Sequence, residues 1–143
     1  MLYIPKQTKY RKMFKIFLRT KNKKNECRSN FLAFGSYGIF STEFGLIKPE
    51  QIESVRRLLN KRLKKVGNYW IRIFPFIPVT KKPVEVRMGK GKGNVSFWVF
   101  PIVKGRILFE FNNLSFKEAQ KLFISCSYKL PVKTKLVYKK YLF

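Results

Sequence analysis

The sequence predicts an α+β fold in which two helices pack on a mixed or antiparallel sheet. Two segments between residues 49 and 130 carry apolar residues at helical spacing, and shorter alternating, β-prone segments precede, separate and follow them. Strands that are interrupted by helices without a regular alternation are typical of this fold class. With 143 residues, 45% of them hydrophobic, the chain is long enough for one domain with a buried core.

The charge of the chain is strongly unbalanced. It has 32 Lys and Arg residues against 7 acidic residues, a formal net charge of +25, and it contains neither Asp nor His. The usual general bases and metal ligands are therefore missing, and we predict no catalytic residues, no metal and no cofactor. A positive charge spread along the whole chain favours nucleic acid as the partner. An anionic membrane surface is the alternative, but it would favour one basic amphipathic helix, so no membrane partner is expected.

Residues 1–30 are predicted to form a basic extended arm, and residues 31–143 a single domain. A block of like charges stays extended in water and commonly binds nucleic acid. Aromatic residues lie between the cations, and their rings can stack on unpaired bases. The alternative is a solvated arm whose aromatic side chains pack on the domain. The candidate RNA contacts in this arm are Lys6, Lys9, Tyr10, Arg11, Lys12 and Lys15.

Residues 31–40 resemble a strand that is broken by Gly35 and Gly38. A helix is predicted to follow, with Pro49 in its first turn and Gly67 after its end. Its apolar stripe consists of Ile52, Val55, Leu59, Leu63 and Val66. The cations of this helix either form a solvated face or contact phosphate, and the candidates for phosphate contact are Arg56, Arg57, Lys61 and Lys64.

Residues 69–74 alternate and predict a strand that contains Arg72, and Pro75, Pro78 and Pro83 are expected to end it. Residues 84–88 and 94–98 are then predicted as two strands around a loop in which glycine and lysine alternate. We call residues 87–93 the Gly/Lys loop: Arg87, Met88, Gly89, Lys90, Gly91, Lys92 and Gly93. Glycine permits positive φ and lysine is a flexible point charge, so the loop suits a phosphodiester backbone.

The Gly/Lys loop does not fit the common nucleotide-binding motifs. A P-loop needs Ser or Thr after Gly-Lys, and a dinucleotide fingerprint needs a helix after its glycines, whereas a strand is predicted here. An RNA-modifying or nucleotide-binding enzyme and a free regulatory or membrane-associated basic protein remain as alternatives to a structural RNA-binding protein.

The last part of the chain predicts a strand, a helix and a strand. Residues 106–111 are apolar and β-prone, and residues 133–138 alternate. Between them, Ser115 and Glu118 have the spacing of a capping box, which marks the start of a helix. Pro131 is expected to end that helix. Its predicted buried stripe consists of Ala119, Leu122, Phe123, Cys126 and Leu130.

Several of these segments together resemble a known family. They are KQTKYRKM at 6–13, FGSYG at 34–38, WIRIFP at 70–75, VRMGKGKGN at 86–94 and KLPVKT at 129–134. Over almost its full length, the chain is similar to the bacterial-type large-subunit ribosomal protein sixteen family. It departs from the family pattern between residues 15 and 31.

The resemblance implies a structural constituent of the large ribosomal subunit that binds large-subunit rRNA, with neighbouring ribosomal proteins as partners. It further implies that the Gly/Lys loop reaches toward A-site and P-site tRNA near the peptidyl-transferase centre. The abundance of Phe, Ile, Lys, Asn and Tyr and the scarcity of Ala indicate an AT-biased genome. Since the family's opening begins at residue 1 and leaves no room for a transit peptide, synthesis inside an organelle is expected. We therefore predict a mitochondrial location, with a plastid as the alternative.

Overall fold

Seven strands and two helices follow one another in a computed structural model that describes residues 4–14 and 25–139. In chain order they are β1 (Tyr37–Ser41), β2 (Gly45–Ile47), α1 (Pro49–Leu63), β3 (Tyr69–Ile71), β4 (Ile77–Lys81), β5 (Asn94–Ile102), β6 (Ile107–Phe111), α2 (Phe116–Ser127) and β7 (Thr134–Tyr138).

The strands form two antiparallel sheets. One sheet has the order β3-β6-β1-β7, and the other has the order β2-β5-β4. The predicted α+β class with two helices on antiparallel sheet is thereby confirmed, although the strands divide between two sheets.

The core lies between the helices and the sheets. Strand β6 is buried along its whole length, with Phe109 and Phe111 fully inaccessible. Helix α1 contributes the predicted residues Ile52, Val55, Leu59 and Leu63, and α2 contributes Ala119, Leu122 and Cys126. Val66 was also expected on the α1 stripe, but it lies beyond the end of the helix and is 55% exposed.

Both helices begin where the sequence predicts, because their caps are local. Pro49 occupies the first turn of α1, and the backbone N–H of Lys48 donates to Oε1 of Gln51 at 2.9 Å. At α2, the backbone N–H of Ser115 donates to Glu118 at 3.1 Å, and the Ser115 hydroxyl accepts from the Glu118 N–H at 3.4 Å. This reciprocal pair is the predicted capping box. Helix α2 ends before Leu130, which still packs against the core.

The prediction of a strand at residues 84–88 is wrong. This segment is exposed, with Val84 at 96% and Met88 at 97%. The strand before the Gly/Lys loop that pairs with β5 is β4, and Lys81 lies opposite Asn94. Pro78, which was expected to end a strand, lies inside β4. An edge strand tolerates proline because one side of its backbone needs no partner, and β4 is at the edge of its sheet.

Residues 31–36 also differ from the prediction, since β1 begins only at Tyr37. The backbone N–H groups of Ala33, Phe34 and Gly35 point at the side chain of Glu110 and not at a neighbouring strand. The short strand β2 was not predicted, because three residues are too few to show an alternating pattern.

Candidate nucleic-acid interface

The connection from β4 to β5, residues 82–93, carries the whole Gly/Lys loop. At its tip, Gly89, Lys90 and Gly91 have φ values of 103°, 50° and 82°. These left-handed conformations suit glycine, so two of the three glycines are required by the backbone itself. Gly93 has a different role: a Cβ at this position would lie 2.6 Å from the carbonyl oxygen of Lys81. The base of the connection is therefore closed tightly, while its tip projects into solvent.

The N-terminal segment lies against this connection. The ammonium group of Lys12 donates to the carbonyl oxygen of Lys92 at 3.0 Å, and the ammonium group of Lys92 donates to the carbonyl oxygen of Met13. Lys92 also lies 5.3 Å from the ring centre of Phe14. The structure thus brings together two segments that are about 80 residues apart in sequence.

A cleft of about 930 Å³ separates residues 4–12 from the start of β5. Four of the predicted RNA-binding cations line it, namely Lys6, Lys9, Arg11 and Lys12, and none of the described lining residues is acidic. Tyr10, the fifth candidate of this segment, is 69% exposed and lies beside Lys9, whose ammonium group is 5.5 Å from the ring centre. Lys15 lies outside the described residues. The arrangement offers a concave, positively charged surface.

Sequence reasoning did not single out the opposite wall of this cleft, which consists of Asn94, Val95 and Trp98. Simple alternation along the strand would not have found them, because Val95 lines the cleft and Ser96 does not, and the register between β4 and β5 shifts at Ser96. Only the tertiary structure places these residues against the N-terminal segment.

The predicted cations of α1 fall into two groups. Lys61 and Lys64 are exposed. Arg56 and Arg57 instead bind the carboxylate of Glu53, at 2.7 and 3.1 Å. The hydrogen bond from Arg56 lowers the pKa of Glu53 to about 2, with a smaller contribution from Arg57. Arg57 remains 75% exposed, whereas Arg56 is 25% exposed.

Arg72 forms an ion pair with Glu110, a carboxylate that is completely inaccessible to solvent. Glu110 also accepts the N–H groups of Phe34 at 2.7 Å and Gly35 at 2.8 Å. Burial by itself raises the pKa of Glu110, but these two N–H groups, Arg72 and the N–H of Ala33 together hold the pKa below its ordinary value. Arg72 was predicted as an RNA contact; the structure gives it a role in the fold, and its contact with RNA stays a prediction.

Within residues 4–14 and 25–139, no group of three or more His, Cys, Asp or Glu residues could hold a metal ion. Over the same residues, neither helix has the length and apolar character needed to span a membrane.

Comparison with known proteins gives the family. Residues 5–137 match the family model described as ribosomal protein L16p/L10e. Similar proteins include the large ribosomal subunit protein uL16 of Buchnera aphidicola subsp. Cinara cedri (strain Cc), which is 47% identical over 135 residues that cover 94% of this chain and 96% of the relative. The protein of the same name from Thioalkalivibrio sulfidiphilus (strain HL-EbGR7) is 44% identical over 133 residues, which cover 93% and 94%.

A third relative of that name, from Halorhodospira halophila (strain DSM 244 / SL1), is 44% identical over 138 residues, which cover 93% of this chain and 94% of the relative. The matched region contains the Gly/Lys loop, both helices and most of the cleft. The predicted resemblance is confirmed, and the chain belongs to the ribosomal protein L16p/L10e family.

Proposed function

We propose that the chain is a structural component of the large ribosomal subunit that binds large-subunit rRNA and lies beside tRNA near the peptidyl-transferase centre. The observation that carries this proposal is the family match over residues 5–137, a region that includes the cationic cleft and the Gly/Lys loop. The protein has a structural role and is not an enzyme. Its partners are rRNA, tRNA and neighbouring large-subunit proteins.

The cationic cleft is the proposed centre of rRNA binding. Lys6, Lys9, Arg11 and Lys12 converge there without an acidic residue among the described lining residues. Each phosphate that such cations neutralise releases condensed counterions, which makes binding favourable and dependent on salt. Lys15, a further candidate of the predicted basic arm (residues 1–30), is proposed as an additional rRNA contact.

The helix cations contribute in two ways. Lys61 and Lys64 are exposed and can approach phosphate directly. Arg57 binds Glu53 but is 75% exposed, and a guanidinium group has five donors, so it can hold a carboxylate and a phosphate together. Arg56 and Arg72 are mostly covered, and we assign them chiefly to positioning the surface.

The Gly/Lys loop is the proposed tRNA contact. Its tip projects from a tightly closed base, and the left-handed backbone presents Lys90 on an exposed turn. A lysine ammonium group interacts with phosphate as a point charge and imposes little geometry. Such a contact suits tRNA, which must bind and leave repeatedly.

The proposed location is a mitochondrial ribosome, with a plastid ribosome as the alternative. The AT-biased composition supports an organellar origin, while the similar proteins named above are bacterial. Separation of mitochondria from plastids, followed by detection of the chain in ribosomes of each fraction, decides between the two. Detection in neither fraction would contradict the organellar proposal.

Sedimentation of ribosomal subunits at moderate salt tests the main proposal. We expect the chain to migrate with large subunits, and a free pool without subunit association would refute the proposal. For rRNA binding, we compare the triple variant Lys6→Ala, Lys9→Ala, Arg11→Ala with a control that removes three exposed lysines near α2. The control variant is Lys117→Ala, Lys121→Ala, Lys129→Ala.

The first triple variant should bind rRNA more weakly and reduce the slope of log K against log salt by roughly 2–3, since each lost phosphate contact contributes roughly 0.7–0.9. The control variant removes the same charge, so equal slopes in the two variants would show that the cleft is not the site.

The tRNA contact is tested with Lys90→Ala. Lys135→Ala serves as the control, because it removes another exposed lysine, from β7. Both variants should enter large subunits normally, and only Lys90→Ala should weaken tRNA binding to those subunits. Equal tRNA binding by the two variants would overturn the assignment of the Gly/Lys loop.

A further inference from the structure

A partly exposed aromatic stack lies at the β3 edge of the four-stranded sheet, and its residues do not belong to the Gly/Lys loop. The rings of Phe34 and Trp70 stack with centroids 6.0 Å apart and planes inclined by 24°. The guanidinium carbon of Arg72 is 5.5 Å from the centre of the Phe34 ring. Phe34 nevertheless remains 62% exposed. Single exposed apolar residues are common, so exposure alone does not indicate a site.

The position of Phe34 is fixed by buried groups, and this distinguishes it from an ordinary surface residue. The carboxylate of Glu110 accepts the N–H of Phe34 itself and those of its two neighbours, Ala33 and Gly35, at 2.7–3.2 Å. Gly35 lies so close to β6 that a Cβ would be 2.7 Å from the carbonyl oxygen of Phe111. The backbone of Phe34 is therefore held in place before any partner arrives, and its ring stacks on Trp70, which reduces the entropy lost on binding.

Trp70 also lines a surface cleft of about 350 Å³ at the end of α1. This volume is at the lower end of the range of small-molecule sites, roughly 300–1,000 Å³. Asn60 and Asn68 line the cleft with amide groups that can donate and accept hydrogen bonds, and Lys64 adds a positive charge. None of the described residues that line it is acidic.

We propose that Phe34 and Trp70 form a stacking platform for one unpaired base of the bound RNA, with Lys64 at the adjacent phosphate. Aromatic faces are a common means of holding splayed-out bases in loops and bulges. The net charge of +25 favours RNA over another protein as the partner that covers this platform. The inference rests on the proposed RNA-binding function and adds to it the class of RNA element, an unpaired nucleotide in place of a duplex.

The first experiment isolates the signal of Trp70. The chain has two tryptophans, so Trp98→Phe leaves Trp70 as the only one. We titrate this variant with a 12-nucleotide oligoadenylate and, separately, with inorganic polyphosphate, which has the charge but no bases. Both polyanions should bind in competition, and only oligoadenylate should quench the emission of Trp70. Equal quenching by both would refute stacking, whereas failure of the wild-type chain to bind oligoadenylate would refute RNA binding itself.

The second experiment uses the wild-type background and measures affinity for the same oligoadenylate by fluorescence anisotropy. Phe34→Leu should weaken binding roughly 5- to 150-fold, the range for one stacked base, without changing the salt slope because no phosphate contact is lost. Phe116→Leu is the matched control: Phe116 is 51% exposed and packs on Tyr138, with centroids 5.7 Å apart.

Equal affinities of the Phe34→Leu and Phe116→Leu proteins, with salt-dependent binding retained, would overturn the stacking platform and leave the proposed function standing. Normal RNA affinity of the Phe34→Leu protein combined with poor entry into large subunits would also overturn it, since Phe34 would then contact a protein neighbour. Circular dichroism and thermal unfolding of both variants establish that each is folded.

Discussion

Replacing Glu110 with Gln is expected to destabilise the protein more than any other change of one carboxylate to an amide. The carboxylate is completely inaccessible, pairs with Arg72 and accepts the N–H groups of residues 33–35. An amide cannot satisfy all of these donors, and it leaves the charge of Arg72, whose side chain is 16% exposed, without its partner.

The magnitude follows from the burial of the pair. Removal of one member of a buried ion pair destabilises by roughly 3–5 kcal/mol, and we expect about 3 kcal/mol here because solvent reaches Arg72. For a chain of this size, about 3 kcal/mol corresponds to a decrease in Tm of roughly 10 °C. Glu85→Gln is the control, since Glu85 is exposed and its replacement should change the free energy of unfolding by less than about 0.5 kcal/mol.

The same variant also changes the dependence of stability on pH. The pKa of Glu110 is below 4.5 in the folded protein because its hydrogen-bond donors outweigh burial. The stability from this shift is therefore complete above about pH 4.5, the ordinary pKa of the unfolded chain, and is lost as the pH falls through the lower folded value. Glu110→Gln should lose less stability than wild type between pH 5 and pH 3. Denaturant unfolding curves measure both effects, and a Glu110→Gln protein as stable as the Glu85→Gln control would refute the reasoning.

Three further predictions concern the fold. Gly35→Ala should lower the free energy of unfolding by roughly 1–3 kcal/mol, because the added Cβ would meet the backbone of Phe111. Gly91 has open space around it, so Gly91→Ala should lower the free energy of unfolding by only about 1 kcal/mol, through its positive φ. Denaturant midpoints of the two variants measure the difference. Exposed Cys27 should react with a thiol reagent at pH 8 in the folded protein. Burial raises the pKa of Cys126 to about 12, so Cys126 should react only after denaturation. Rapid reaction of both thiols in the folded protein would contradict this. Ser115→Ala should cost about 1 kcal/mol in thermal unfolding, since it removes the cap of α2, and an unchanged Tm would contradict that role.

Features that depend on neighbours in sequence were predictable. The apolar stripe of α1, the Ser115–Glu118 capping box and β6 follow from spacing and local hydrogen bonds, and the structure places each of them within a few residues of the prediction. The motif VRMGKGKGN indicated the family without any structure, and the net charge of +25 indicated a polyanionic partner. These properties are local or additive, so the order of residues determines them directly.

Features that depend on distant pairing required the tertiary structure. The sequence pattern placed the strand before the Gly/Lys loop at residues 84–88. In the structure that strand is β4, which pairs with β5 and ends at Lys81, so the connection that carries the loop begins at residue 82. Pairing of Trp70 with Glu110 across β3 and β6 brings Arg72 to a carboxylate 38 residues away, and this decides which arginine is used inside the fold. The sequence therefore gives the number of charged residues correctly. Which of them are available to RNA depends on which ones the folded chain pairs internally, because burial and ion pairing are set by contacts between segments that are far apart in the chain.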